Sequence, residues 1–166
     1  MKPMLVCVPL LLALSACESS SDPLGGFGGT PGGGAITQTE AAGNWSFTVR
    51  RTTTLACSGG SLSDGQVLTA FLDVVSTGSL SASTSSWQNP PNTTVRPLSG
   101  SVRLTDGLAD LILSSAVGNT GSGMELRGTA TSGGTFTGTL TDPAPGLTPM
   151  FSVSGCEYST TGTKTG

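Results

Sequence analysis

Asn44-Trp45-Ser46-Phe47-Thr48-Val49-Arg50 sets three apolar side chains, Trp45, Phe47 and Val49, in strict alternation with Ser46, Thr48 and Arg50. A period of two belongs to a strand buried on one face and wet on the other, because successive side chains leave a pleated backbone on opposite sides. The pattern predicts a first strand from Asn44 toward Leu55, and similar readings follow it along the chain. Ser101 to Thr105 puts Val102 and Leu104 on one face. Asp106-Gly107 then marks a tight turn into Leu108 to Ser114, a hairpin signature. Met124, Leu126, Gly128 and Ala130 alternate with Glu125, Arg127 and Thr129. Ser132-Gly133-Gly134 turns that strand into Thr135 to Thr141, where Phe136, Gly138 and Leu140 face inward. A last strand is expected from about Met150 through Tyr158. Consecutive strands joined by short turns are antiparallel, so the fold class is mostly β: a small antiparallel β-barrel or a β-sandwich.

Two segments depart from this rhythm. Between Gln66 and Ser76, Val67, Leu68, Phe71, Leu72, Val74 and Val75 form a helical stripe, and Ser63 with Gln66 fits a capping box. One short helix is expected there, although Leu68, Ala70, Leu72 and Val74 also alternate as a strand would. From Ser85 to Pro97, three prolines, Pro90, Pro91 and Pro97, predict a loop, since proline donates nothing to a ladder. Trp87 in that loop is expected to be a ligand or partner contact, with capping of the core as its plainer role. Residues 43–166 suffice for one hydrophobic core and are read as a single β-domain.

Ahead of the domain, Lys2 precedes an apolar stretch from Met4 to Ala16 that is too short to span a bilayer as a helix. It ends in Leu14-Ser15-Ala16-Cys17, which resembles the bacterial lipoprotein box. The resemblance implies that residues 1–16 are a signal peptide and that Cys17 becomes the first residue of the mature chain. It also implies a covalent N-terminal lipid of two or three acyl chains on Cys17, palmitate among them, enough for stable anchoring where one chain is not. Glu18, in place of the aspartate that favours inner-membrane retention in such proteins, implies the outer membrane. Residues 17–42 read as a flexible tether, because seven of the ten residues from Gly25 to Gly34 are glycine. Such a coil of about 25 residues reaches roughly 25 to 30 Å.

Composition narrows the function classes. The chain carries 7 basic and 10 acidic residues, a net charge of -3, and no histidine. Phosphate binding needs clustered cations, and only Arg50 and Arg51 adjoin, so nucleic acid is not expected as a partner. Without histidine the commonest general base and metal ligand is missing, and neither a metal nor any cofactor beyond the lipid is expected. The acids Asp106, Asp110, Glu125, Asp142 and Glu157 supply no evident glycosidase pair, and turn or surface roles are expected of them. Apart from Cys17 and Cys7 in the leader, the cysteines are Cys57 and Cys156. Two thiols in an exported domain pair more often than not, and a disulfide between them is expected. A closed or nearly closed sheet would bring the first and last strands, which carry them, side by side.

Gly43-Asn44-Trp45, at the opening of the first strand, resembles the Gly-x-Trp signature of the lipocalins and the wider calycin barrels. The resemblance implies a small antiparallel barrel with Trp45 closing one end and, within it, a carrier of a small apolar ligand touching Trp45 and Phe136. Lys164 lies near the end of the chain and is left unassigned as a cation closing over Trp45. The reading is a lipid-anchored envelope lipoprotein whose β-domain is a binding or structural module and not an enzyme. Its partner would be an envelope protein, a polysaccharide or a small apolar ligand. The alternatives are the lipocalin-like carrier and, below it, a carboxylate-dependent hydrolase.

Overall fold

The computed structural model describes residues 34–52, 62–116, 119–142 and 156–166, with residues 116 and 119–122 described by their backbone alone. A short helix, α1 (Gln38–Ala41), leads into eight strands: β1 (Gly43–Arg51), β2 (Val67–Leu72), β3 (Ser86–Asn89), β4 (Asn92–Val102), β5 (Leu108–Ala116), β6 (Asn119–Ala130), β7 (Thr135–Asp142) and β8 (Cys156–Lys164). Each strand pairs antiparallel with the next, and β1 pairs with β8, closing an up-and-down barrel. Of the two architectures expected, the barrel is the one formed. Closure leaves no open edge.

Alternation explains why these residues build it. Trp45, Phe47 and Val49 of β1 are buried, as are Leu68, Ala70 and Leu72 of β2, Leu111 and Leu113 of β5, Phe136 and Leu140 of β7, and Tyr158 of β8. Their neighbours in sequence face out and are mostly Ser, Thr or charged. The inside is thus apolar and the outside polar, the reverse of a membrane-spanning barrel with its outward apolar band. At the turn joining β4 to β5, Gly107 has φ 74°, and the Asp106 carboxylate accepts the Leu108 N–H at 3.1 Å. A side chain at Gly107 would meet the Ala130 carbonyl.

The segment expected to be helical is β2. Its even-numbered residues point in, while Val67 and Phe71 of the supposed helical stripe lie on the outside at 40% and 41% exposure. Pairing with β1 and β3 supplies its backbone with ladder partners, which outweighs a local stripe that a lone helix would still have to bury. The Ser63 N–H does donate to the Gln66 side chain at 2.8 Å, but this closes a turn leading into the strand. The short helix is instead α1, started by a capping box between Thr37 and Glu40.

The proline-rich segment also proves to be sheet. β3 and β4 form a hairpin across Pro90-Pro91, whose bond is cis. The register of β4 with β5 pairs Leu98 with Leu113 and Ser99 with Ile112; one step further, Pro97 would face Ser114. Proline has no N–H to give there, and the Trp87 indole N–H donates to the Ser114 carbonyl instead, at 3.0 Å. Trp87 is 1% exposed inside the barrel. A tryptophan in the neighbouring strand thus fills the ladder vacancy that proline makes.

Two boundaries move. Ile36 and Ala41 belong to the core at 3% and 1% exposure, and Ile36 N–H donates to the Leu104 carbonyl at 2.9 Å, so the packed domain begins before Gly43, inside what reads as tether. The last strand starts at Cys156 and runs to Lys164; residues 143–155, where its first half was expected, lie outside the described residues, as do Cys17, Cys57 and residues 1–33 as a whole.

Candidate functional site

A carrier needs a hollow barrel, and the inward-facing rings of β1 and β7 bear on that directly. Trp45 stacks beside Phe47 with ring centroids 6.0 Å apart, and Phe47 meets Phe136 edge-on at 5.3 Å. Between the two phenylalanines runs β8, and Gly162 stands directly opposite both of them in the registers with β1 and β7. A Cβ there would lie 2.6 Å from a Phe47 ring carbon, and one on Gly128 2.5 Å from Phe136. The small residues on the inner face therefore make room for aromatic rings, and the rings occupy it. What remains among Trp45, Phe47, Leu111 and Phe136 is a cavity of about 10 Å³. Ligand pockets run to about 300 Å³ and more, and about 10–15 Å³ holds a single water at most.

Of the expected contact residues, Trp45, Phe136 and Trp87 are 2%, 2% and 1% exposed. The structure brings Trp45 and Phe136 together, through Phe47, as core. Trp87 lies on β3 with the Arg96 guanidinium 5.1 Å over its ring and offers no surface to a partner. Trp45 does close the end of the barrel where α1 lies, by donating its indole N–H to the Ala41 carbonyl at 2.9 Å. Lys164 is the residue opposite Trp45 on β8, and its ammonium donates to the Thr39 carbonyl at 2.6 Å. It closes over the helix beside the tryptophan. A shallow polar groove of about 360 Å³ lies at this end, lined by Thr39, Glu40, Ser132, Gly134 and Lys164. Glu40 is held below its ordinary range by the Thr37 N–H and hydroxyl.

The opposite end carries the longer connections. Here the Tyr158 hydroxyl donates to the Leu62 carbonyl at 3.1 Å, and Leu62 itself is buried. Burial pushes the Tyr158 phenol above its usual pKa, and nearby Asp142 adds to the rise. Asp142 is 7% exposed at the end of β7, paired in register with Cys156. Cys156 is 1% exposed and disulfide-bonded; its expected partner, Cys57, lies outside the described residues. Gln66 donates from its amide to Asn89, which ties β3 to the turn before β2. Inward-facing positions thus become polar toward this end.

The remaining acids are engaged on the outside. Asp106 accepts from Arg103 at 2.9 Å, a bond that holds its carboxyl below the ordinary range. Arg127 lies 2.6 Å from Glu125 and 3.4 Å from Asp110. Burial pushes Glu125 up despite the attraction of Arg127; it was expected to be exposed and is 9% exposed. Asp106, Asp110 and Glu125 are thus each engaged by an arginine. Among the described residues no three metal-ligating side chains cluster, and no helix is long and apolar enough to cross a membrane.

The outer surface differs from side to side. Val67, Phe71 and Val95 stand out from β2 and β4 at 40%, 41% and 53% exposure. β5 and β6 carry the Asp110, Arg127 and Glu125 group. β7, β8 and β1 present hydroxyls, a feature written in the sequence as Thr135-x-Thr137-x-Thr139-x-Thr141 but visible as a surface only once the registers are known. Neither the known protein-family models nor the curated proteins include a match to this chain.

Proposed function

We propose that the mature chain is a lipid-anchored envelope lipoprotein whose barrel is a non-catalytic binding or structural module that works through its outer surface. The anchor rests on Leu14-Ser15-Ala16-Cys17 and its resemblance to the lipoprotein box. The mode of action rests on one observation: at the α1 end of the barrel Phe47 and Phe136 meet edge-on across Gly162, and the void left among the rings there is about 10 Å³. A small barrel of this kind fits a lipocalin-like binding fold, with a tryptophan at the start of β1 and a helix across that end. The carrier reading drawn from that likeness ranks second, because the rings of Trp45, Phe47 and Phe136 occupy the interior at the α1 end. A hydrolase ranks below both, since the acids serve Arg103, Arg127 and the ends of strands.

The same proposal includes a Cys57–Cys156 disulfide, which would tie the connection after β1 to the start of β8, and residence in the outer membrane. Intact-mass spectrometry of the membrane fraction tests the anchor: a mature chain beginning at Cys17 with acyl mass is expected, and Cys17→Ser should leave the protein unacylated. Titration of the purified domain with an apolar fluorophore tests the mode of action. No saturable binding is expected, and one-to-one binding that quenches Trp45 would return the carrier reading to first place.

A further inference from the structure

The registers assemble a feature that no single strand contains. Thr48 of β1 is opposite Thr161 of β8, Thr161 is opposite Thr137 of β7, and Thr137 is opposite Thr129 of β6. Four threonines thus form one row across four neighbouring strands. Ser46, Thr163 and Thr135 form a second row beside it. Sheet geometry spaces members of a row about 4.8 Å apart and the rows about 6.7 Å apart. Thr135, Thr137, Thr161 and Thr163 are exposed. No charged or aromatic side chain interrupts either row. The flanking cations stand one row further on, where Arg50 pairs with Asp64 and Arg127 with Glu125.

Most strand exteriors mix charges of both signs into such positions. Here the hydroxyls of Thr48, Thr137, Thr161 and Thr163 take no side-chain hydrogen bond among the described residues, so each keeps a donor and two acceptor lone pairs for something outside the chain. The face is rigid, because β-branched threonine is stiff at its first side-chain torsion and the barrel fixes the backbone. A charged polymer finds no counter-charge on it, and an apolar surface would strand its hydroxyls. An uncharged, periodic, hydroxylated partner matches it in both charge and hydrogen bonding, and loses no ion hydration on contact.

We propose that the threonine face of β1, β8, β7 and β6 is a docking surface for an uncharged polysaccharide. This deepens the reading of the barrel as an outward-acting binding module and rests on it. Hydroxyl contacts made against water are individually weak, so the surface acts by repetition along an extended chain.

The test is co-sedimentation of the purified domain with an insoluble β-linked glucan and with an insoluble β-linked N-acetylglucosamine polymer, compared among three proteins. The unmodified domain should be retained on at least one polymer. Thr137→Lys with Thr161→Lys should reduce retention about tenfold, the product of two lost hydrogen-bonding positions. Val95→Lys, on the opposite side, should leave it unchanged. Circular dichroism of all three should coincide, since the substituted positions are exposed. Failure of the unmodified domain to bind either polymer, or equal loss in both variants, overturns the proposal. A domain that ignores both polymers but slows ice growth, with that effect lost in the double variant, also overturns it by assigning the face to ice. None of these failures alters the acylation test at Cys17 or the apolar-probe titration, so the broader reading stands or falls separately.

Discussion

The two ends of the barrel are built on different principles. At the α1 end, Trp45, Phe47 and Phe136 interlock over Gly162 and Gly128, and a helix tied down by the Trp45 indole and the Lys164 ammonium lies across them. At the loop end the inward positions turn polar: Tyr158 reaches Leu62, Gln66 reaches Asn89, Arg96 covers Trp87, and Cys156 is held by a disulfide. One end is stabilised by burial of large rings, which is non-directional and cumulative. The other depends on particular bonds, each of modest net value and costly to leave half made. A single eight-stranded closure thus joins a close-packed half to a stapled one.

The largest expected effect breaks the packed end. Phe47→Ala removes the ring shared by the stacked and edge-on contacts and leaves a cavity, at a cost of about 3–5 kcal/mol, measurable by urea denaturation. If the variant lost much less, the α1 end would not be the packed half described. Next comes the staple: Cys156→Ser should cost about 2–4 kcal/mol through the freedom returned to the unfolded chain. Its loss should match that of reducing the unmodified protein with a dithiol, and a mismatch would point away from the Cys57–Cys156 bond. Trp87→Phe keeps the ring but strands the Ser114 carbonyl opposite Pro97, at about 1–3 kcal/mol. Amide exchange should quicken in β3 and β4 before β7 and β8; uniform quickening would deny Trp87 its place in the ladder.

The smallest effect is one of sign with pH. Burial raises the folded-state pKa of Glu125, so the folded chain holds that proton more tightly than the unfolded one. The associated stability is present below the ordinary value and is lost as the pH rises through the raised one. Melting curves of Glu125→Gln should therefore gain on the unmodified protein as the pH rises above the ordinary glutamate range. Asp106 runs the other way: its depressed carboxyl contributes above its ordinary value and loses that contribution as the pH falls. Parallel melting curves for Glu125→Gln and the unmodified protein would contradict the burial of that side chain.

Much of the barrel was legible because its strands are half-buried. Trp45 to Val49, Met124 to Ala130 and Phe136 to Leu140 each carry the two-residue period, and Asp106-Gly107 and Ser132-Gly133-Gly134 carry the turns. What misled was local pattern without its partner. Val67 to Val75 satisfies a helical stripe, and only β1 and β3 alongside make it strand. Pro97 argues for loop until Trp87 supplies the missing donor, and Trp87 argues for exposure until that same bond draws it inside. The core role of Gly162 has no signal of its own, because its meaning comes from the two phenylalanines opposite it. The threonine face was half legible: the alternation in β7 is plain, but the rows belong to the registers.

The order of residues alone determined the mostly β class, which side chains of most strands face inward, and the turns between them. These are properties of neighbours in the chain, set by side-chain direction along an extended backbone. Only the tertiary structure decided that β1 meets β8, that Phe47 and Phe136 meet across Gly162, and that four strands align their threonines. Those depend on which distant backbones satisfy one another's hydrogen bonds and on whether opposing side chains interdigitate, and neither is a property of any segment taken singly.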